Sequence, residues 1–272
     1  MEEHSGGVVR LITIPISHYC EKVRWALARL DLPYHEERHL QGFHYPRTFW
    51  VSRGPSVPVL VDGGKVISDS TDILKHLDNY ASVETRLYPT DSELRRQVEA
   101  LEDLFDQQLG DESRRWLYFH YIDHPRAAIK IAAQGVPQME CTLGLRFFPL
   151  LKTFIRVHLH VSKQTVTSGL GICREIVRQT DALLADGRKY LVGDKFSAAD
   201  LTLACMMAPL VLPSQYGIQL PSIEEVPAGM KDTVQEFQAS LTGRFALHLF
   251  ATERQPKIQA YTSVRDKLSV SV

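Results

Sequence analysis

The chain has 272 residues, 44% of them hydrophobic and 23% charged, with a formal net charge of −1. That length supports two domains with sizeable cores, the composition is ordinary for a folded globular protein, and the balanced charge leaves no electrostatic footprint for nucleic acid. The four cysteines (Cys20, Cys141, Cys173, Cys205) are scattered, without the spacing of a disulfide framework, which points to a reducing, cytoplasmic setting. Met1–Val9 lacks a basic stretch followed by an apolar one, so no signal peptide is expected.

Residues 1–7 read as a loose tail. Val8–Ile14 is an apolar run rich in β-branched residues and closed by Pro15, which predicts a buried strand. Cys20, Val23, Leu27 and Leu30 then recur at helical spacing with Glu21, Lys22 and Arg29 between them, which predicts a helix over about 18–31 that stops before Pro33. Ser17 stands in the polar loop between the two, placed to accept from the first free N–H groups of the helix. Those N–H groups and the helix dipole favour negative charge, and a thiolate held there has a lowered pKa. The plain alternative is a capping serine and nothing more. Tyr34–Leu40 is expected as a second strand despite its polar character. Gln41–Arg53 reads as a loop with room for a short helix, carrying Phe43, His44, Arg47 and Trp50. Gly54–Ile67 reads as a hairpin turning at Gly63-Gly64. Pro58 starts its first strand, where an edge position or a cis peptide accommodates it. Ser68-Asp69-Ser70-Thr71-Asp72, followed by Ile73, Leu74 and Leu77, is the cap-rich start of a helix over about 70–80.

Taken in order, these features are a strand, S-x-x-C, a helix, V-P before a hairpin, and an acid–Ser pair at a helix start. The segment from 8 to about 80 thereby resembles the N-terminal domain of the soluble glutathione transferases, a thioredoxin-like fold. The resemblance implies that Ser17 donates a hydrogen bond to the glutathione sulfur. It implies that Val57, before Pro58, pairs its backbone with the cysteinyl part of glutathione. Asp69 and Ser70 would hold the γ-glutamyl amine and carboxylate, with Asp69 standing where the family usually has Glu. A cation from the 41–53 region would meet the glycyl carboxylate, His44 and Arg47 being the candidates. The arrangement resembles that of the serine-type transferases, and the absence of a tyrosine at the end of the first strand argues against a tyrosine type. Glutathione would be a co-substrate, and no metal is implied.

Ala81–Pro89 reads as a linker. The expected division is a thioredoxin-like glutathione-binding domain over 1–84 and an all-helical electrophile-binding domain with a C-terminal tail over 85–272. Thr90 and Glu93 have the spacing of a capping box, and Leu94, Val98, Leu101 and Phe105 follow at helical spacing. A helix carrying Trp116, Tyr118, Phe119 and Tyr121 continues the domain. Tyr19, Trp116, Tyr118 and Phe119 are the candidates to line the electrophile pocket. Thr142–Val161 is apolar enough to raise a membrane question, but Arg146, Lys152, Arg156, His158 and His160 interrupt it. It reads as an amphipathic helix packed on the bundle, with no membrane contact expected. His158 and His160 do not share a helix face and lack a matching acid or cysteine pattern, so no metal site is expected there. A helix over about 169–186 ends at Asp186-Gly187. Phe196-Ser197-Ala198-Ala199-Asp200-Leu201 combines a capping box with a hydrophobic staple and resembles a transferase folding signature, so Ser197 and Asp200 are read as structural. The helix that follows is apolar all round and is expected to end at Pro209 and Pro213. Further helices are expected over about 230–239 and 244–253, parted at Thr242-Gly243, with a tail over 256–272.

The expected function is a cytoplasmic detoxification enzyme, homodimeric by resemblance, that conjugates glutathione to a hydrophobic electrophile. Three alternatives stand beside it. One is a protein holding glutathione conjugates or hydrophobic ligands without turnover. Another is a thiol transferase or deglutathionylase that depends on Cys20, set against a plain reading of Cys20 as a buried structural residue. The third is a structural or partner-binding relative that has lost glutathione affinity, against which the retention of Ser17, Pro58, Asp69 and Ser70 argues.

Overall fold

The structure, a computed structural model, describes residues 8–254. The tail segments 1–7 and 256–272 lie outside the described residues. The first part of the chain forms β1 (Val9–Thr13), α1 (His18–Arg29), β2 (Tyr34–Arg38), α2 (Tyr45–Ser52), β3 (Val59–Asp62), β4 (Lys65–Ile67) and α3 (Ser70–Leu77), with a 3₁₀ turn at Asp78–Tyr80. The four strands make one mixed sheet in the order β2-β1-β3-β4. β1 is internal, parallel to β2 and antiparallel to β3, which is why Val9, Leu11 and Ile12 are buried. β2 is an edge strand, so its polar sequence can lie alongside the sheet without burying every charge. The charge it does bury is Glu36. Burial alone would raise its carboxyl, but Arg24 and Arg38 more than offset that and hold it down to about 2.

After this part the described chain is helical: α4 (Ser92–Leu104), α5 (Asp111–Tyr121), α6 (Pro125–Ala132), α7 (Gln138–Arg146), α8 (Phe148–His158), α9 (Lys163–Leu184), α10 (Ala198–Val211), α11 (Ala228–Ala239) and α12 (Leu241–Thr252). A π-helical turn, Phe105–Gly110, joins α4 to α5. The architecture is a thioredoxin-like sheet with its helices, followed by an all-helical region, as the sequence indicates. α10 is its axis. Every residue of that helix is buried, and it contacts α1, α4, α5, α11 and α12.

Several local expectations differ. Asp91, not Thr90, caps α4, its carboxylate accepting from the backbone N–H groups of Glu93 and Leu94. The 142–161 segment is not one helix, because the chain turns at Phe147 and restarts with Pro149 in the first turn of α8. Pro209 sits inside α10, which runs on to Val211 before Leu212 takes a left-handed conformation. The break between the last two helices falls at Ser240, whose hydroxyl caps α12 by accepting from Gly243.

Two buried ion networks fasten α1. Lys22 contacts Glu102 at 3.2 Å and Asp106 at 2.6 Å, while Thr71 and Tyr88 donate to the same carboxylates. On the neighbouring turn, Arg24 bridges Glu21 and Glu36, and Arg254 reaches Glu21 at 2.8 Å. Trp25 stands beside Phe250 and donates to the Glu253 carbonyl. The first and last helices are thus in direct contact.

Candidate functional site

Strand register collects the candidate residues at one end of the sheet. Leu11 and Ile12 of β1 face Leu60 and Val59 of β3, and Leu60 faces Ile67 of β4. Continued past the ladder, the same register sets Ile14 level with Val57, and Val57 level with Ser70. The exits of β1 and β4 and the start of β3 therefore share an end of the sheet, where the chain leads on toward Ser17 and Ser70 and comes in from Val57.

Ser17 adopts an extended conformation as N-cap of α1, and its Oγ accepts from the Cys20 N–H at 3.3 Å. Its hydroxyl also hydrogen-bonds the Cys20 side chain. Its neighbours are fixed from the helical region. His18 is buried, and its ring nitrogen Nε2 lies 3.1 Å from the Gly110 carbonyl. Burial, with a smaller contribution from Arg114, lowers its pKa to about 3, so the ring is neutral and Nε2–H is the donor. Tyr19 donates to the Asp106 carbonyl at 2.7 Å, and the Arg114 guanidinium lies 5.7 Å from its ring centroid. The Val57–Pro58 peptide is cis.

Ser17 opens onto a cleft of about 770 Å³ lined also by His18, Tyr19, Gln41, His44, Pro55, Val57, Arg114, Tyr118 and His158. A second cleft of about 680 Å³ adjoins it and shares Ile14, Ile16, Gln41, Leu117 and Tyr118. Its remaining wall is apolar, built by Leu40 and by Tyr121, Ile122, Ile129, Ile131, Phe148, Leu151 and Ile155. A polar cleft with an anion-favouring helix start thus runs into an apolar one.

The sequence candidates distribute unevenly over this geometry. Ser17, Tyr19, His44, Val57 and Tyr118 line the first cleft, whereas Pro58, Asp69 and Ser70 do not. Asp69 is exposed and serves as N-cap of α3, accepting from Thr71 and Asp72, while Ser70 is buried. His44 uses both ring nitrogens. Nδ1 accepts from the Gly42 N–H at 3.2 Å, and Nε2 donates to the Pro55 carbonyl at 3.0 Å. Burial lowers its pKa, so it is neutral in this position. Arg47 is held bidentate by Glu37. The cation that does line the cleft is Arg114, bound on one side to Asp111 at 2.7 Å. Trp116 is in the helical core, Phe119 packs against that core, and neither lines a cleft. Cys20 is buried, and burial pushes its thiol up.

Sequence reasoning did not single out Arg114, Leu117 or Gln41. The signal for α5 was present: Arg114, Leu117, Tyr118 and Tyr121 recur at steps of three and four and share one face. Glu140 of α7 is a further positioning residue. It accepts from the Leu40 N–H and contacts His39 Nδ1 at 2.7 Å, tying the helical region to the segment that carries Gln41 and His44.

The "Glutathione S-transferase, N-terminal domain" family model matches residues 11–85, and the "Glutathione S-transferase, C-terminal domain" model matches 139–226. No curated protein matches the chain. Among solved structures, a possible glutathione S-transferase from Rhodopseudomonas palustris is similar at 15% identity and a TM-score of 0.61, covering 94% of this chain and 100% of its own. Poplar glutathione transferase F1 is similar at 16% identity and a TM-score of 0.56, covering 90% and 99%. A glutathione S-transferase from Methylobacillus flagellatus KT, with glutathione bound, is similar at 19% identity and a TM-score of 0.51, covering 88% and 98%. The two family models follow one another in the order of the sheet and the helices and together match more than half of the chain, which belongs to the soluble glutathione S-transferase superfamily.

Proposed function

We propose that this protein binds glutathione in the cleft beside Ser17 and transfers it to an apolar electrophile seated in the adjoining cleft. The observation that carries the reading is the position of Ser17: N-cap of α1, its side chain lining a polar cleft that adjoins an apolar one. A free thiol has a pKa of about 8.5, and a hydrogen bond from Ser17 together with the helix start favours the thiolate. One pKa unit is worth about 1.4 kcal/mol, within reach of a single charge-assisted hydrogen bond. The thiolate then attacks an electrophilic carbon held against Ile16, Leu117 and Tyr118; its electron pair forms the new C–S bond as the carbon's bond to its leaving group breaks, and that group departs with the bonding pair into solvent.

The glutathione partners named from the resemblance are kept in this reading with their roles adjusted. Val57 offers backbone beside Ser17. Asp69 and Ser70 follow the exit of β4 at the same sheet end; Asp69 already caps the Thr71 and Asp72 N–H groups, so the Ser70 hydroxyl and N–H are the donors assigned to the carboxylate. Arg114 replaces His44 and Arg47 as the cation available to the ligand. A Cys20-dependent mechanism is disfavoured because that thiol is buried and protonated. The low identity of every structural relative leaves open a protein that holds ligand without turnover, and a paired measurement separates the two. Calorimetry with glutathione, alongside conjugation of a standard electrophile, is expected to show binding in wild type and Ser17→Ala but turnover mainly in wild type. Binding with no turnover in either would favour the ligand-holding protein. No binding at millimolar glutathione would remove the site assignment.

A further inference from the structure

A third cavity, of about 330 Å³, adjoins the apolar cleft. Four side chains line both spaces: Ile16, Leu117, Tyr121 and Ile131. Ile16 and Leu117 also border the polar cleft, so all three spaces meet at this pair. The far wall of the third cavity comes from α10, through Ala208 and Pro209, and from the loop after it, through Leu212, Leu220 and Pro221. That loop is anchored at two points. The Tyr216 hydroxyl donates to the Ile16 carbonyl at 3.0 Å. Beyond α6, the Gln134 side chain donates to the Gln219 carbonyl at 2.7 Å and accepts from the Gln219 N–H at 2.8 Å. The cavity is therefore preformed, as ligand sites usually are.

The chemistry of the walls selects the occupant. No ionised side chain lines the apolar cleft or the third cavity. Gln41 and Tyr118 are polar, but they stand on the side shared with the polar cleft, and the Tyr118 hydroxyl donates to Gln41 at 3.4 Å. The Tyr121 hydroxyl is enclosed by protein, so that residue offers its ring. Tyr216 uses its hydroxyl on Ile16. Beyond the junction, a ligand meets carbon alone. Each methylene laid on that surface is favoured, whereas a polar substituent would lose its water and find no partner. A compact electrophile would sit at the junction and leave both apolar spaces unfilled. The passage between them runs among four side chains that belong to both walls, which suits a single methylene chain and not a ring.

We propose that the electrophile is a long unbranched alkyl chain activated at one end, with its reacting carbon at the Ile16–Leu117 junction and its tail running through the apolar cleft into the cavity beside Leu220. The inference rests on the glutathione reading of the Ser17 cleft and adds the substrate class. The thiolate pair forms the bond to the terminal carbon while a halide or sulfonate leaves with the bonding pair. The rest of the chain carries no polar group.

The test is calorimetry of the full chain with S-alkylglutathiones, the products of such a reaction, from S-butyl to S-decyl, beside glutathione itself. Affinity is expected to rise about three- to fourfold per added methylene until the third cavity is filled. S-(8-hydroxyoctyl)glutathione is expected to bind about tenfold or more weakly than S-octylglutathione. Leu220 is half-buried and lines the third cavity but neither cleft. In Leu220→Trp the decyl-to-butyl affinity ratio is expected to fall about tenfold or more. Affinity that stops rising after S-butyl overturns the proposal, as does equal binding of the hydroxylated chain. An unaltered ratio in folded Leu220→Trp overturns the placement of the tail. The wild-type series decides the substrate class even where that variant fails to fold. Failure of glutathione itself to bind would remove the reading of the Ser17 cleft and this inference with it, an outcome distinct from glutathione binding without a chain-length gain.

Discussion

Ser17 has one proton to give, and a bound sulfur would compete with the Cys20 thiol for it. Its oxygen already accepts from the Cys20 N–H, so removing the hydroxyl takes away both a cap and a sulfur donor. Ser17→Ala is expected to lower kcat/KM for conjugation by about ten- to hundredfold, the equivalent of one charge-assisted hydrogen bond. The pH midpoint of activity should rise by about one unit, while calorimetric affinity for glutathione changes little. An unchanged rate and pH profile would show that Ser17 only caps the helix. His18 gives a stability prediction. It is neutral in the folded chain down to about pH 3, whereas an unfolded histidine titrates near 6.5. Between those values the unfolded state takes up a proton that the native state refuses, so stability should fall as pH drops through that window. His18→Gln, which keeps a donor for the Gly110 carbonyl, is expected to flatten that slope by up to about 1.4 kcal/mol per pH unit in urea titrations. A slope identical to wild type would contradict a buried neutral His18. The pattern of what could be read beforehand is clear at α5. Ser17 and Val57, which line the polar cleft, stand at fixed offsets from strand and helix boundaries, whereas His44 was named from the resemblance as a cation and lines the cleft as a neutral ring. Trp116 and Phe119 were chosen for aromatic bulk, whereas helical geometry turns Arg114, Leu117, Tyr118 and Tyr121 toward the clefts. Periodicity was the better guide, and it cannot say which face meets a cleft until a partner helix is placed.

The helix starts at Ser17, Asp69 and Ser197 were legible because cap chemistry is local, and each side chain takes part in hydrogen bonds at its helix start. Others were not: α9 starts after Ser162, ahead of the expected 169, α12 after Ser240 rather than Gly243, and α4 after Asp91 rather than Thr90. Helix ends and breaks were less legible, because a tertiary environment can override them. Pro209 is tolerated in α10 where a fully buried helix has no alternative packing. The capping box of α10 is the strongest local signal in the helical region. Asp200 accepts from Leu191 N–H at 2.8 Å, Ser197 N–H at 2.9 Å and Ser197 Oγ at 2.8 Å. Asp200→Ala would leave those donors buried and unsatisfied, at a cost of about 2–4 kcal/mol in chemical denaturation. A loss under about 0.5 kcal/mol would mean that water replaces the carboxylate. Glutathione affinity of the folded fraction should be unchanged, because the box lines neither cleft.

The sheet and the helical region share charges across a dry contact, so they are expected to unfold together. Lys22 of α1 sits between Glu102 and Asp106. Burial works against its charge, but the two carboxylates more than compensate and raise its pKa. Lys22→Met removes the only cation in that contact among the described residues and leaves two buried acids facing one another. The expected loss is about 3–5 kcal/mol at neutral pH, read as one cooperative transition by two spectroscopic probes. Asp106, already raised by burial, would lose the cation that opposes the shift, so the deficit should shrink on acidification. Two separate transitions in wild type would show that the halves are not coupled this way. None of this coupling was visible in the sequence, where Lys22 reads as a solvated residue between apolar positions. Distance along the chain hid it, just as it hid the contact of α1 with α12. That last contact has a consequence for biosynthesis. Trp25 and Glu21 lie near the start of the chain, yet Glu253 and Arg254, which close over them, emerge from the ribosome more than two hundred residues later. α10 has no solvent-facing side, and its packing partner α12 is also late. A nascent chain halted before α12 would expose the face of α10 that α12 covers and would leave Glu21 without Arg254 and Arg29 without Glu253. The packing of the first helix is therefore completed only once α12 has been made.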